Sequence, residues 1–326
     1  MTTTSGKKEF SVAPMMGYTD RHFRYLLRLM SKKTQLYTEM LVSQSLIHGD
    51  RNRLLAFNQA EHPLVLQLGG SDPIELAFCA KLAEELGYDE INMNVGCPSN
   101  RVQSGNIGAC LMADPSLVGR CVSEMRSVVS IPVTVKCRIG IDDQDSYDHL
   151  THFIQIVKDF GCEKFIIHAR KAWLKGLSPK ENREKPTIRY DWVYQLKKDF
   201  PDLFIVINGE ISKLSEVFQH LQKVDGVMLG RAICENPYFL STIDKSVFHS
   251  QENVQPRFEI VQAYCHYMET EMSKGIPFTQ LSRHIIAIFH GIPGAKAWRR
   301  CISENAHKPN MGPELIFNAA KLIQLA

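Results

Sequence analysis

Short apolar segments alternate with segments of helical spacing through the first three quarters of the chain. Most of the apolar segments are continuous, as expected of strands that are buried on both faces. They span residues 10–15, 36–40, 64–68, 90–95, 132–138, 164–169, 204–208 and 226–229. The segments of helical spacing span residues 20–30, 72–86, 115–129, 147–160, 191–199 and 212–222. This repeated strand–helix alternation predicts an α/β fold of the (β/α)8, or TIM-barrel, type.

A doubly wound open sheet is the main alternative to the barrel. Such a sheet usually has fewer strands, and it carries a glycine fingerprint after its first strand. This chain has Pro14-Met15-Met16-Gly17 at that place. The barrel is therefore favoured.

The last quarter of the chain has a different pattern. From about residue 256 onward no segment predicts a strand, and the apolar spacing predicts amphipathic helices. These helices are expected at residues 257–274, 278–289, 294–304 and 313–325. Because Pro237 and the polar stretch 249–255 mark the change, we predict a barrel domain over residues 1–245 and an all-α helical-bundle domain over residues 246–326.

Composition narrows the class of protein. The chain has 326 residues, of which 44% are apolar and 22% charged, which is normal for a globular protein. A formal charge of +3 does not indicate a nucleic-acid binder, so such a role requires local clusters. Nine cysteines without a Cys-x-x-Cys pair argue against a disulfide framework and a zinc site. With no signal peptide and no membrane-spanning stretch, we expect a cytoplasmic protein without metal, and nothing requires more than a monomer.

Polar side chains stand at the carboxyl ends of most predicted strands, where barrel enzymes have their active sites. Any one of them could be there only for solvation. A succession of amides, a lysine and a histidine, however, would place donors and acceptors around one mouth, as a planar heteroaromatic cofactor requires. These residues are Gln67, Asn92, Asn94, Lys136 and His168.

The last two strands end in sequences that favour phosphate binding. Asn208-Gly209-Glu210 follows the seventh strand, and Gly230-Arg231 follows the eighth. Glycine lets backbone N–H groups approach an anion, and arginine can pair with it in a bidentate manner. Either glycine alone could simply turn the chain. Because the loops after strands seven and eight often form a phosphate site in barrels, the two together predict one here.

A glycine-rich loop after the fourth strand carries Cys97, with Arg101 nearby. A cysteine in such a place can act as an acid or as a nucleophile. The other cysteines mostly fall within predicted helices or strands, where an inert buried thiol is expected. Lys136 has two interpretations, because it could form a Schiff base or donate a hydrogen bond to a flavin.

Two clusters of basic residues stand out against the near-neutral charge. The first basic cluster, residues 170–189, has seven basic and two acidic side chains together with Trp173. The second basic cluster, residues 296–300, contains Lys296, Trp298, Arg299 and Arg300. Clusters of charge are usually solvated surface. Two clusters that each include an aromatic side chain predict contacts with RNA phosphates and unpaired bases.

Several motifs of this chain occur together in a known family. They are Pro14-Met15-Met16-Gly17-Tyr18-Thr19-Asp20, Asn94-Val95-Gly96-Cys97-Pro98-Ser99, Lys136-Cys137-Arg138, His168-Ala169-Arg170 and Gly230-Arg231. Together they resemble the tRNA-dihydrouridine synthases, and the cysteine loop separates that family from other flavin barrels. The run from His168 to Arg183 resembles the A-type bacterial subfamily, which modifies uridines 20 and 20a of the D-loop. The resemblance covers the predicted barrel nearly end to end and continues into residues 294–300.

The resemblance implies an FMN enzyme that takes electrons from NADPH. It implies that Pro14, Met15 and Met16 cradle the isoalloxazine ring through the backbone, and that Gln67, Lys136 and His168 hydrogen-bond to it. The implied phosphate ligands are Asn208, Gly209, Glu210, Gly230 and Arg231. The subfamily commonly has a second glycine where this chain has Glu210. Since an anionic side chain close to a phosphate is unfavourable, we expect Glu210 to bind through its backbone N–H with its side chain pointing away.

The implied reaction is the reduction of the C5=C6 bond of uridine in tRNA. Hydride from reduced flavin goes to C6, and the Cys97 thiol protonates C5 from the opposite face. Asn94 is expected to orient the uracil edge of a base that has left its stack. Both basic clusters are expected to bind the same tRNA, through Lys180, Arg183, Lys296, Arg299 and Arg300. Without a dinucleotide fingerprint, NADPH and tRNA are expected to use the same face in turn.

Three other functions remain open on the residues alone. A flavin barrel that reduces a small pyrimidine would share the phosphate site and Lys136, but it would need neither the helical region nor the basic clusters. A non-catalytic RNA-binding barrel is disfavoured by the intact Cys97, Lys136 and His168. A Schiff-base aldolase would be trapped at Lys136 by borohydride.

Overall fold

The computed structural model describes residues 6, 8–99 and 105–323. It divides into two compact units. The first unit comprises Met1–Met16, Gln35–Phe57 and His62–Gly230, and the second comprises Gly17–Thr34, Asn58–Glu61 and Arg231–Ala326. This division differs from the expected boundary between residues 245 and 246 in two ways. The last segment of the helical unit begins at Arg231, and two segments from the first quarter of the chain also belong to that unit.

The described strands of the first unit form one parallel sheet that closes on itself. They are β1 (Glu9–Val12), β2 (Gln35–Tyr37), β3 (Leu41–Val42), β4 (Leu64–Gly69), β5 (Glu90–Val95), β6 (Val133–Arg138), β7 (Lys164–His168), β8 (Phe204–Asn208) and β9 (Gly226–Leu229). β2 pairs with both β1 and β4, and β1 pairs with β9, which closes the ring. β3 pairs with the carboxyl end of β4, whereas β2 pairs with its amino end. β2 and β3 therefore share one strand position of the barrel. The predicted TIM barrel is confirmed.

Helices follow the strands as the apolar spacing predicted. In chain order they are α1 (Arg21–Met30), α2 (Ser43–His48), α3 (Arg51–Leu54), α4 (Pro73–Leu86), α5 (Pro115–Val128), α6 (Tyr147–Asp159), α7 (Tyr190–Asp199), α8 (Leu214–Leu221), α9 (Arg231–Glu235), α10 (Ile243–Ser246), α11 (Arg257–Ser273), α12 (Phe278–Ile285), α13 (Ala295–Asn305) and α14 (Pro313–Ala320). Asp72 caps α4 by accepting from the N–H groups of Ile74 and Glu75. The expected last helix continued to residue 325, and residues 324–326 lie outside the described part.

The interior of the barrel changes from apolar to polar along the strands. A buried apolar cluster contains Ala13, Tyr37, Val65, Ile166, Val206 and Met228. Alternate residues of a strand point to the same face. Gln67, His168 and Asn208 follow Val65, Ile166 and Val206 by two positions, so these three polar side chains also face the interior, at the carboxyl ends of β4, β7 and β8.

The second unit is helical in its described residues. Within it, α1 carries Arg24, whose Nε lies 2.6 Å from Glu61 Oε2 in a buried ion pair. His22 Nδ1 of α1 lies 2.7 Å from the Tyr267 hydroxyl of α11. Trp298 of α13 is fully buried, and its indole N–H donates to the Ile286 carbonyl. Among the described helices of the whole chain, none is both long and apolar enough to cross a membrane.

Candidate active site

Lys136 lies near the carboxyl end of β6 and faces the barrel interior. Its Nζ donates to Asn208 Oδ1 at 3.1 Å, which connects β6 with β8 past the intervening β7. Burial, followed by the nearby Arg138 guanidinium, lowers the pKa of Lys136 to about 8. The Asn208 amide in turn donates to the Met228 carbonyl at 2.8 Å. The lysine therefore faces the interior as a cation with an amide partner.

His168 has its pKa held well below the ordinary value for histidine. Burial is the main cause, followed by the positive charges of Arg138, Lys136 and Arg170. The imidazole is consequently neutral at physiological pH and can donate through one ring nitrogen and accept through the other.

The Cys97 loop is held by Asn94 and Arg138. Asn94 Oδ1 accepts from the backbone N–H groups of Gly96 at 3.1 Å and Cys97 at 3.0 Å. Arg138 Nε donates to the Gly96 carbonyl, and the Cys97 carbonyl accepts from Ala109 N–H. The thiol is half-buried. Arg101, which was expected near it, lies outside the described residues.

The Asn94 side chain is thus occupied by the protein itself. Besides its two bonds to the loop backbone, its Nδ2 donates to Gln67 Oε1 at 2.8 Å. The sequence predicted that Asn94 orients the uracil edge. These hydrogen bonds show that Asn94 positions the Cys97 loop, and its contact with the uracil edge stays a prediction.

The turn after β8 has the backbone of an anion site. Gly209 has φ of 130° and Glu210 has φ of 49°. A Cβ atom at position 209 would lie 3.0 Å from His168 Cδ2, so the turn requires glycine there. Within the described chain, the N–H groups of Gly209, Glu210 and Gly230 donate to no protein acceptor. They remain free to bind an anion.

The Glu210 side chain is drawn to Arg170. Its Oε2 lies 2.6 Å from Arg170 Nη2, and Arg170 also donates to the Glu184 and Pro186 carbonyls. The acidic side chain therefore has a cationic partner of its own. The pair turns the Glu210 side chain toward Arg170, while the Glu210 backbone N–H stays open in the turn.

The remaining expected cofactor residues are Pro14, Met15 and Met16 of the first unit and Arg231 of the second. Pro14 and Met15 are half-buried directly after β1, and Met15 packs against the buried apolar cluster. Met16 is exposed. Arg231 is the exposed first residue of α9, in the second unit.

The first basic cluster is partly neutralised by acidic neighbours. Lys171 pairs with Asp145 at 2.6 Å, and its Nζ lies 4.0 Å from the centre of the Trp173 ring. Lys185 pairs with Glu181 and Arg189 with Asp191. Lys175 and Lys180 are exposed and form no ion pair with the described residues, whereas Arg183 is half-buried.

The second basic cluster lies on α13. Lys296, Arg299 and Arg300 are exposed, and Arg300 pairs with Glu304 on the next turn. Trp298 packs edge-on against Phe289 in the core of the unit. The suggestion that this tryptophan stacks on RNA bases is therefore wrong, because its ring is fully buried.

Comparison with known proteins identifies the family of the chain. The model of the Dihydrouridine synthase (Dus) family matches residues 11–324. The chain belongs to the dihydrouridine synthase family. Curated relatives named tRNA-dihydrouridine(20/20a) synthase include one from Synechocystis sp., 55% identical over 95% of this chain and 92% of that protein. Another, from Escherichia coli strain K12, is 56% identical over 96% of this chain and 91% of that protein. The resemblance to the A-type subfamily is confirmed.

A solved structure supports the fold. An old yellow enzyme homologue from Zymomonas mobilis superposes with a TM-score of 0.53 and 10% identity, over 74% of this chain and 89% of that one. At that identity the likeness concerns the barrel alone.

Reading the strand ends missed two polar groups in the barrel interior. Thr134 and Glu90 are buried behind Gln67 and Asn94, and the expected Asn92 connects them to these amides. A signal for them exists in the sequence, because β5 reads Glu-Ile-Asn-Met-Asn and polar residues occupy every second position of β6 from Thr134 to Arg138. Polar residues at period two on a buried strand indicate an interior polar row.

Proposed function

We propose that this protein reduces uridine to 5,6-dihydrouridine in tRNA, at positions 20 and 20a, with FMN as cofactor and NADPH as reductant. The observation that carries the proposal is one barrel mouth that combines the Cys97 loop, the buried Lys136 and the open N–H groups of the Gly209 turn. The printed names of relatives that are 55–56% identical over nearly the whole chain support the substrate and the positions.

The residues of the first unit fit FMN. The phosphate would bind the free N–H groups of Gly209, Glu210 and Gly230. Arg231, the first residue of a segment of the second unit, is proposed as a further ligand on the sequence resemblance alone. The ring would receive hydrogen bonds from Gln67, Lys136 and His168 beside the backbone of Pro14, Met15 and Met16. When bound, the cofactor would supply the hydride that reduces C6 of the uracil.

The protein's own groups complete the reaction. Cys97 would deliver a proton to C5, where negative charge develops as C6 is reduced. Its loop is fixed to Asn94 and Arg138, so the thiol is held in one place during the proton transfer. Lys136 keeps a proton on Nζ at neutral pH, since its pKa is about 8, and it can stabilise negative charge at the mouth.

A direct test maps dihydrouridine in an unmodified tRNA transcript after incubation with NADPH. We expect the modified base at positions 20 and 20a. Cys97→Ala should abolish it. Cys110→Ala is the matched control, because Cys110 is also a half-buried thiol and donates to the Ile107 carbonyl. Modification at other positions would contradict the subfamily assignment. Absence of product even with tRNA from cells that lack dihydrouridine would contradict the function.

Both basic clusters are proposed to bind the same tRNA. Charge reversal of Lys180 and Arg183, and separately of Lys296, Arg299 and Arg300, should weaken tRNA binding and reduce its salt dependence. FMN content should not change. Lys81→Glu, an exposed lysine of α4, is the control and should have no effect. Loss of FMN in the cluster variants, or unchanged tRNA affinity, would count against this role.

NADPH and tRNA are proposed to use the same face in turn. The support is that the chain has no separate dinucleotide fingerprint. Steady-state rates with both substrates varied should give a ping-pong pattern. A pattern that requires a ternary complex would overturn this part of the proposal.

A further inference from the structure

A continuous row of buried polar side chains runs through the barrel interior to the Cys97 loop. Its members are all between 0% and 8% exposed. In order from the loop inward they are Asn94, Gln67, Asn92, Thr134 and Glu90. Asn92 was expected only as one of the polar groups around the mouth, and Thr134 and Glu90 were not expected to have a role; the proposed binding of cofactor or tRNA explains none of the three.

The sheet register places the central members side by side. Gln67 of β4 is the ladder partner of Asn92 of β5, and Asn92 is the partner of Thr134 of β6. Paired residues on adjacent parallel strands point to the same face. The three side chains therefore meet inside the barrel without any distortion of the strands.

Every link in the row is a hydrogen bond of ordinary length. Asn94 Nδ2 donates to Gln67 Oε1 at 2.8 Å, and Gln67 Nε2 donates to Asn92 Oδ1 at 2.8 Å. Asn92 Nδ2 donates to Thr134 Oγ1 at 3.0 Å. Thr134 Oγ1 donates to Glu90 Oε1 at 2.8 Å. Glu90 Oε2 accepts from Lys164 Nζ at 2.8 Å.

The direction of these bonds is fixed from the loop end. The backbone N–H groups of Gly96 and Cys97 can only donate, so the Asn94 atom that faces them must be the oxygen. Its nitrogen then faces Gln67, which must present its own oxygen there. The same reasoning passes to Asn92, whose nitrogen must face Thr134.

The direction is also fixed from the other end. Glu90 pairs with Lys164 and accepts from the Thr134 hydroxyl. A hydroxyl that donates its one hydrogen to a carboxylate offers only lone pairs to Asn92. Both ends therefore impose the same orientation on the Gln67 amide. A flipped Gln67 would place oxygen against oxygen at Asn92 and N–H against N–H at Asn94, in a region without solvent to compensate.

We propose that Thr134 and Asn92, anchored by Glu90, are positioning residues that fix the polarity of the Gln67 amide and hold the Cys97 loop for proton transfer. This inference rests on the proposed function for its catalytic consequence. It implies that Gln67 always presents its N–H side toward Asn92, and that the Asn94 oxygen is always available to the loop backbone. Loss of the Thr134 hydroxyl would leave Asn92 Nδ2 without its acceptor and remove the constraint from the Glu90 end, so that the loop end alone would hold the row.

Two pairs of variants isolate that hydroxyl. Thr134→Val has the shape of threonine without the oxygen, and Thr134→Ser keeps the oxygen without the methyl group. Thr134→Ser and Thr134→Ala differ from each other only by the hydroxyl oxygen. This second pair serves if the valine variant does not fold. Thermal unfolding and FMN content establish that each variant is folded.

The first readout is single-turnover formation of dihydrouridine by pre-reduced enzyme. We expect about a ten-fold loss in Thr134→Val and Thr134→Ala, and a rate within about two-fold of wild type in Thr134→Ser. Reduction of the enzyme by NADPH should change by less than about two-fold in all three. A packing role predicts the opposite order, with valine close to wild type and serine impaired, and that result would overturn the proposal.

The second readout does not depend on turnover. The alkylation rate of Cys97 by iodoacetamide, measured without tRNA, should differ from wild type in the valine and alanine variants and match it in the serine variant. Equal alkylation rates in all four proteins would overturn the proposal. A wild-type protein that makes no dihydrouridine would instead overturn the proposed function, and the alkylation comparison would still decide whether the row positions the loop.

Discussion

The two ends of the barrel interior each contain a largely buried lysine, but the electrostatic surroundings of the two lysines differ. At the amino end, Lys164 Nζ lies 2.7 Å from Glu9 Oε2 and 2.8 Å from Glu90 Oε2. These carboxylates raise the pKa of Lys164 despite its burial. At the carboxyl end, Lys136 has an amide partner and the Arg138 cation nearby, and its pKa falls to about 8.

The difference separates a structural charge from a functional one. A buried cation that has carboxylate partners is compensated by the protein, and such a group contributes to the fold as long as all partners remain. A buried cation without a carboxylate is costly, and such groups are typical of sites where a ligand or a reacting atom brings the negative charge. Lysine therefore has a structural role at the amino end of the barrel and a functional role at the carboxyl end.

Removal of the compensated charge should have the largest effect. Lys164→Met leaves Glu9 and Glu90 buried without a cation, and we expect the free energy of unfolding to fall by about 3–5 kcal/mol. Denaturant unfolding of the apo protein measures it. The double variant Lys164→Met/Glu9→Gln should recover part of the loss. A loss below about 1 kcal/mol would show that the amino-end cluster is hydrated and of little structural weight.

Removal of the uncompensated charge should affect activity rather than stability. Lys136→Met removes the cation at the mouth, and we expect dihydrouridine formation to fall about 100-fold. Because the methionine also removes the cost of burying that cation, the variant should be at least as stable as wild type. Single-turnover rates and unfolding curves on the same preparation check both. If Lys136→Met lowered the free energy of unfolding as much as Lys164→Met does, the proposed difference between the two lysines would be contradicted.

The barrel and its polar mouth could be predicted from sequence because parallel strands leave a strong local signal. Continuous apolar runs such as 204–208 are recognisable without knowledge of their neighbours, and the strand-end positions of Lys136 and His168 follow from them. The amino-end cluster was missed because Glu9, Glu90 and Lys164 begin their strands and look like solvated termini. Only the closure of the barrel brings them together.

The membership of α1 in the helical unit could not be predicted either. Its cap residue Asp20 pairs with Arg283 and His284, more than 260 positions away. No local pattern encodes such a contact. Glu210 is a similar case, because its ion-pair partner Arg170 follows a different strand.

The pH dependence of stability should differ between the two lysines. The pKa of Lys136 is about 8 in the folded protein against an ordinary 10.5, so between these values the unfolded chain binds more protons and stability rises with pH. After allowance for partial exposure, we expect a gain of about 2 kcal/mol from pH 7 to 10.5 in wild type relative to Lys136→Met.

Lys164 supplies the control for that experiment. Its folded pKa is raised, so its contribution is complete below about pH 10.5 and is lost only as pH rises through the folded value. The stability gap between wild type and Lys164→Met should therefore stay constant from pH 7 to 10. A gap that changes there by as much as the Lys136 gap would contradict the assignment of opposite shifts.

The smallest expected effect concerns Arg170, a cation at the carboxyl end of the barrel that has an acidic partner. Glu210 neutralises Arg170, but it is 44% exposed, so loss of the pair should cost less than about 1 kcal/mol of stability. Glu210→Gln makes the mouth more positive, and we expect FMN to bind about two- to three-fold more tightly at low salt, with the gain lost at high salt. Glu163→Gln, an exposed carboxylate immediately before β7, is at the amino end and should leave the Kd for FMN unchanged. Weaker FMN binding in Glu210→Gln would show instead that Glu210 holds Arg170 and the turn in place. The Arg170–Glu210 ion pair would then be structural although it lies at the carboxyl end of the barrel.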